Sequence, residues 1–271
     1  MWVKRGLAMK KQVIEQIKEF YEASPYPHQR LETKDDLLRW EHGKVMKRIL
    51  ATVALTPENL KGMNVLDAGC GTGEKAAYCA LHGAKVDAFD ISGKSIEIAK
   101  RNARKIGVEV NYQVDAFETV KLTKKYDLIL CIGTLHHTSD AGGNFIRMAK
   151  HVKKNGAIAL GLYNVYGRLA CRVQRKLLRL GEGNAQKILE KAGVHKEKNT
   201  TWAASLADRF GSPYETYHSV EEVLQWFEKT GMKETGAWPE VKLHSKIDMK
   251  VQQMKWLLKN RGFFFVGGKK V

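Results

Sequence analysis

Three glycines at alternate positions follow an acid in Asp67-Ala68-Gly69-Cys70-Gly71-Thr72-Gly73, directly after the apolar pair Val65-Leu66. Glycine accepts left-handed backbone and carries no side chain, so such a turn brings backbone N–H groups close to a ligand. A helix opening at Glu74 aims its positive end at the same point, which suits a nucleotide or nucleoside. A second acid, Asp90, stands 90 − 69 = 21 positions after the first glycine. That is about the 20-residue separation at which a carboxylate meets ribose hydroxyls in nucleotide-binding sheets. Asp115 ends the next apolar run, and His136 and His137 follow the one after that. Imidazole titrates near neutrality. One of the two histidines, rather than both, is therefore the candidate base for a reaction that removes a hydroxyl proton.

These groups need a scaffold that brings them to one edge. Short apolar runs at 65–68, 84–90, 108–114, 126–132 and 157–163 read as strands, the last preceded by a turn at Asn155-Gly156. Between them, 74–81 reads as a helix stopped by Gly83. Residues 92–106 read as another, with Ile96, Ile98, Ala99, Ala103 and Ile106 apolar and Gly107 as the stop. The alternation predicts an α/β fold with a doubly wound, mostly parallel sheet. Ligands bind outside the carboxyl ends of such strands, where Asp67–Gly73, Asp90, Asp115 and the stretch from Ile132 to His137 all fall.

The G-x-G-x-G spacing differs from the G-x-G-x-x-G of dinucleotide enzymes. With Asp67 ahead of it, VLDAGCGTG resembles the first motif of class I S-adenosylmethionine-dependent methyltransferases, of the small-molecule, type 11-like group. The resemblance covers about 64–163. It implies a seven-stranded sheet with an antiparallel last strand, the sixth near 233–238 and the seventh near 262–266. Ser219 would cap the helix before them, with Glu222 at the capping-box position and Gly231 ending it. It also implies S-adenosylmethionine as cofactor. Gly69, Gly71 and Gly73 would line its methionine and nucleoside parts, Asp67 would touch it or orient the loop, and Cys70 would sit in that loop as a small filler. Asp90, with Ile91 beside it, would take the ribose. Asp115 and the Ala116 amide would meet the adenine, and Ile132 and Gly133 would flank the cofactor. Methyl transfer from a sulfonium is a direct in-line displacement in which the protein mainly positions the acceptor in a dry pocket. The N/D-P-P-Y/F signature of amino methyltransferases is absent after the fourth strand, which argues against that subclass.

Acceptor choice then rests with the added segments. The chain divides into a helical N-terminal cap (1–60), the cofactor core (61–163), a basic helical insertion (164–218) and a C-terminal part of the sheet (219–271). In the cap, a helix over 10–21 runs into Ser24-Pro25, and Pro25 and Pro27 stiffen a stretch carrying Tyr21, Tyr26, His28 and Arg30, a candidate lid. The insertion begins with Tyr163, Tyr166 and Arg168. Its helix, over 165–180, has an apolar stripe of Val165, Leu169, Val173, Leu177 and Leu180, flanked by Arg168, Arg172, Arg175 and Arg179. That pattern suits an interfacial helix, or one packed on the core with arginines rimming a pocket.

With 271 residues and 44% hydrophobic content the chain suits one core with appendages. No apolar run reaches the roughly 18 residues of a membrane span, and the N-terminus lacks a secretion signal, with Met9 an alternative start. A cytoplasmic protein is expected. Cys70, Cys79, Cys131 and Cys171 show no metal-ligand spacing, so no metal and free thiols are expected. The net charge of +17 concentrates in 164–200 and 241–271, which points to an anionic surface, RNA or an acidic acceptor. The leading expectation is a small-molecule or lipid methyltransferase. An RNA methyltransferase, a non-catalytic S-adenosylmethionine-binding protein and a nicotinamide oxidoreductase are the rivals, and a dimer stays open.

Overall fold

A computed structural model describes residues 2–27, 31–38, 41–182, 205, 207–259 and 261–271. Seven strands form one sheet in the order β3-β2-β1-β4-β5-β7-β6. They are β1 (Asn64–Ala68), β2 (Lys85–Asp90), β3 (Asn111–Val114), β4 (Tyr126–Ile132), β5 (Val152–Tyr163), β6 (Met232–Trp238) and β7 (Phe263–Lys270). The first five run parallel, and β7 is antiparallel to both β5 and β6. Strand order reverses between β1 and β4, so their carboxyl ends flank the crevice where such sheets take ligands.

Both faces of the sheet are covered, which is why its central strands are apolar throughout. Successive side chains alternate between two cores. Leu66, Ile129, Ile158 and Phe264 pack on one side. Helices α6 (Ala141–Ala149), α8 (Val220–Lys229) and α9 (Lys246–Leu258) cover it with Phe145, Phe227 and Trp256. Val65, Leu128, Ala157 and Phe265 pack on the other. There α2 (Lys34–Leu38), α3 (Glu41–Thr52), α4 (Glu74–Leu81) and α5 (Gly93–Ile106) supply Leu37, Ile49, Ala77 and Ile96. Thus part of the expected cap belongs to the sheet: the Thr52 carbonyl, at the end of α3, accepts from Thr235 Oγ1 at 2.6 Å. Of segment 1–60, α1 (Trp2–Ala23), the turn after it and the first turns of α3, through His42 and Val45, reach the crevice.

Several boundaries shift for local reasons. Helix α1 begins well before residue 10. Strand β3 starts at Asn111 rather than 108, because Gly107 takes a left-handed C-cap and the Val108 N–H is spent on the Ala103 carbonyl. Asn155-Gly156 does not precede β5 but lies within it, as a bulge between the pairs Tyr126↔Val152 and Leu128↔Ala157. Ser219 caps α8 as expected, accepting from the Glu222 N–H. The Glu222 carboxylate instead meets His218 Nδ1 at 3.1 Å. The insertion helix, α7 (Leu169–Glu182), starts later than 165, because Asn164 Oδ1 binds the N–H groups of Tyr166 and Gly167 in a turn first.

Candidate active site

The crevice holds a cavity of about 500 Å3, a size suited to a cofactor-sized ligand. Its floor is the glycine loop. Gly69 and Cys70 donate to the Phe89 carbonyl at 2.8 and 2.9 Å, folding the loop back over β2. Gly69 and Gly71 have φ of +72° and +54°, a conformation that L side chains rarely adopt. The side on which a Cβ would point is filled by protein, however. A Cβ on Gly69 would stand 2.2 Å from the Thr134 side chain, one on Gly71 2.2 Å from the Tyr26 carbonyl, and one on Gly73 2.6 Å from Ala99 Cβ. The three glycines therefore let the β4 loop, the lid and α5 close in on the turn.

Asp90 is buried at the end of β2. Its carboxylate accepts from the Gly71 N–H at 2.9 Å and the Ser92 N–H at 3.0 Å. Each oxygen keeps a lone pair for a further donor. Burial raises its pKa, while those two N–H groups and Lys75 pull the other way. Asp115 accepts from Ala116 N–H and Thr119 through Oδ1 and from Gln113 through Oδ2. Asp90, Ile91, Asp115, Ala116, Ile132 and Gly133 all border the cavity, together with Gly69 and Gly71. Asp67, Cys70 and Gly73 do not. Asp67 is wholly buried, and burial pushes its pKa up to about 6 against the opposing charge of Lys75. Lys75 does face the cavity. Burial works against its charge, but Asp67 and Glu74 outweigh this and raise its pKa.

The donor set fits a nucleoside cofactor: a carboxylate with spare lone pairs at the end of β2, a second acid one strand on, and backbone at Gly69, Gly71 and Gly133 along one wall.

The roof is α1, which contributes Val13, Ile14 and Ile17. It is fastened at its C-terminal end. Glu22 accepts from the Gly93 N–H at 2.6 Å and the Lys94 N–H at 3.2 Å, placing a carboxylate on the positive end of α5. The Tyr26 carbonyl accepts from the Thr72 N–H at 3.2 Å. Tyr21 and Tyr26 both face the cavity, as a lid requires; Arg30 and His28 lie outside the described residues.

At the far wall the structure separates the two histidines. His136 is fully buried and does not border the cavity; its ring lies 3.8 Å from that of Tyr163, and burial drives its pKa well below the ordinary value. His137 borders the cavity. Its Nδ1 lies 3.0 Å from the Tyr214 carbonyl. A carbonyl only accepts, so Nδ1 carries the proton in the neutral ring and Nε2 presents a lone pair. That Nε2 is 3.6 Å from Asp208 Oδ1.

Asp208 was not picked out by the sequence reading. It accepts from Tyr21 Oη at 2.7 Å and Tyr163 Oη at 2.8 Å, tying lid, insertion and β5 together. Burial, reinforced by the Asp208 charge, keeps both phenols protonated. The available signal was a lone acid in the otherwise uncharged or basic stretch 201–214. Of the other acceptor-side candidates, Tyr163 borders the cavity, whereas Arg168 and Tyr166 do not. Arg168 stacks on Tyr163 from behind, 3.6 Å from its ring centre, and reaches Glu215 at 3.3 Å.

Comparison with known proteins gives this geometry a context. Residues 65–156 match the model of a family described as a methyltransferase domain. Over 103 residues the chain is 34% identical to a ubiquinone biosynthesis O-methyltransferase of Methylocella silvestris, covering 38% of this chain and 40% of that one. The chain spans about half the length of the curated relatives it matches. Among solved structures it is similar to magnesium protoporphyrin IX methyltransferase from Synechocystis PCC 6803 with bound S-adenosylmethionine. There the TM-score is 0.59 at 14% identity, over 96% of this chain and 97% of that one. It is also similar to the [4+2]-cyclase SpnF, with a TM-score of 0.54 at 12% identity, over 97% and 94%. These likenesses show the fold.

Proposed function

We propose that this chain, a member of the class I S-adenosylmethionine-dependent methyltransferases by domain and fold, methylates a hydroxyl of a small, largely apolar acceptor. The observation that carries the reading is the continuity of one roofed cavity from Asp90 and Asp115 to His137 and Asp208. Asp90 would hold the ribose, and Asp115 with the 115–118 loop the adenine. The cofactor supplies the electrophilic methyl group when bound. Everything else falls to the chain. The apolar side chains of α1 exclude water from the acceptor end. Tyr21 and Tyr163 fix Asp208, and Asp208 stands where it stabilises positive charge on the His137 ring. His137 Nε2 takes the acceptor's hydroxyl proton as its oxygen is methylated, and Nδ1 holds the ring on the Tyr214 carbonyl. A base of this kind contributes roughly 10²–10⁴-fold.

The names of the relatives, an O-methyltransferase of ubiquinone biosynthesis and a magnesium protoporphyrin IX methyltransferase, support an apolar acceptor of this kind. The enclosed roof favours a small acceptor over RNA. The cyclase neighbour makes the chemistry itself the point to test. Calorimetric titration with S-adenosylmethionine and S-adenosylhomocysteine should show binding that Asp90→Ala abolishes. With labelled cofactor and extracts of metabolites and lipids, His137→Ala should keep binding and lose transfer by at least about a hundredfold. A folded wild type that binds neither ligand sinks the cofactor assignment. Undiminished transfer by His137→Ala sinks the base.

A further inference from the structure

Helix α9 turns an apolar stripe outward. At about 100° per residue, Ile247, Val251, Met254 and Leu258 fall within about 60° of one another. All four are exposed, Ile247 by 79% and Leu258 by 87%. Met249, Gln253 and Trp256 share the opposite side and are buried. The packing needs of α9 are thus met by one face, and the outward stripe serves none of them. Exposed Lys246, Lys250, Lys255 and Lys259 border the stripe. The only acid on the helix, Asp248, is engaged by Lys242 at 3.8 Å.

Helix α7 repeats the arrangement. Leu169, Val173 and Leu177 are 42%, 52% and 62% exposed, while Cys171 and Arg175 are buried beneath them. Exposed Lys176 falls beside the apolar residues. The turn that leads into α7 packs against α9. A Cβ on Gly167, just before α7, would lie 2.0 Å from the Arg261 carbonyl and 3.3 Å from Trp256 Cβ at the end of α9. Asn164 Nδ2 also donates to Gln253 Oε1 of α9 at 2.9 Å. Both are therefore anchored where β5 ends and β7 begins, at Tyr163 and Phe263 of the cavity wall.

We infer that α9, with α7 beside it, is a docking surface for an anionic lipid bilayer. An outward apolar stripe lowers its free energy by entering the acyl boundary, and a lysine border gains from anionic headgroups. Charge selects this occupant over a second copy of the chain. Two identical α9 faces would oppose lysine borders, the Asp248 of each copy already engaged by its own Lys242, in a protein already at +17.

The test is flotation of the full-length protein, without cofactor, on vesicles of phosphatidylcholine alone and of phosphatidylcholine with phosphatidylglycerol. Binding to the anionic vesicles, falling as salt rises, is expected. Replacing Ile247, Val251, Met254 and Leu258 by Ser should cut binding at least about tenfold. Each of Lys250→Gln and Lys255→Gln should weaken it about fivefold. All these positions are exposed, and unchanged circular dichroism and melting confirm that the variants fold. No vesicle binding by the wild type overturns the proposal, as does full binding by the serine variant. A dimer in light scattering that the serine variant splits, without vesicle binding, assigns the face to a second copy instead. Since no cofactor is present, none of these outcomes depends on methyl transfer.

Discussion

Helices α5 and α7 have the same length, 14 residues, and both are strongly amphipathic and rich in Lys and Arg. They face opposite ways. Helix α5 buries Ile96, Ala99, Ala103 and Ile106 and leaves Lys94, Arg101 and Lys105 outside. Helix α7 leaves Leu169, Val173 and Leu177 outside and, with the turn before it, buries Arg168 and Arg175. Periodicity identifies a face; which face turns inward depends on what the neighbouring segment offers. Beside α5 lies an apolar sheet surface. Beside α7 lies Glu215, whose side chain is 1% exposed and receives Arg175 Nη1 at 2.5 Å, Arg168 Nη2 at 3.3 Å and Tyr217 Oη at 2.7 Å.

Glu215 is therefore the residue whose loss should disturb the comparison most. Glu215→Leu leaves two guanidinium groups buried without their counter-charge, a change that costs about 3–5 kcal/mol. Denaturant unfolding should show a loss in that range. A loss below about 1 kcal/mol would mean that α7 is not held by its arginines and that its inverted orientation needs another cause.

The same contrast explains what the sequence disclosed. Asp90, Gly107 and the glycine turn act through backbone geometry and local spacing, so their places in the fold could be read from a few neighbouring residues. The doubly wound, mostly parallel sheet followed from the alternation of elements, and the antiparallel β7 from the family resemblance. Asp208 and Glu215 act through partners remote in sequence: Tyr21 lies 187 positions from Asp208, and Arg175 lies 40 from Glu215. No local pattern encodes such meetings. The arginine stripe on α7 was visible, but its partner was not, so the stripe was assigned to the rim of the apolar face instead of to the interior. Likewise Leu135-His136-His137 gave two candidate bases. Only the fold separates a ring stacked under Tyr163 from one that opens on the cavity.

That separation gives a smaller, pH-dependent effect. Burial, followed by the charges of His137 and Arg168, holds the His136 pKa well below the ordinary value of 6.5. The unfolded chain then takes up a proton below about pH 6.5 that the folded chain does not, so the fold loses stability as pH falls through and below that value. Phenylalanine fills the same stacked position without titrating. His136→Phe should therefore gain on the wild type by about 2 kcal/mol between pH 8 and pH 5, read as the difference between the two unfolding free energies. Taking the difference cancels other titrating groups, among them Asp67, whose raised pKa of about 6 works in the opposite direction. A pH-independent difference would mean that His136 is protonated or solvated in the fold. His137 would then lose its standing as the one cavity-facing histidine of the pair.

The smallest effect is the most telling about α7. Leu177 is 62% exposed, so Leu177→Ser removes a side chain that the fold itself barely uses. Surface changes of this kind stay within about 0.5 kcal/mol, and serine's lower helix propensity accounts for much of that. An unfolding free energy within this limit supports an outward stripe kept for something other than stability. A loss of about 2 kcal/mol or more is the signature of a leucine buried in a core. It would place Leu177 in an interior contact, so that α7, like α5, would turn its apolar face inward and the two helices would no longer differ.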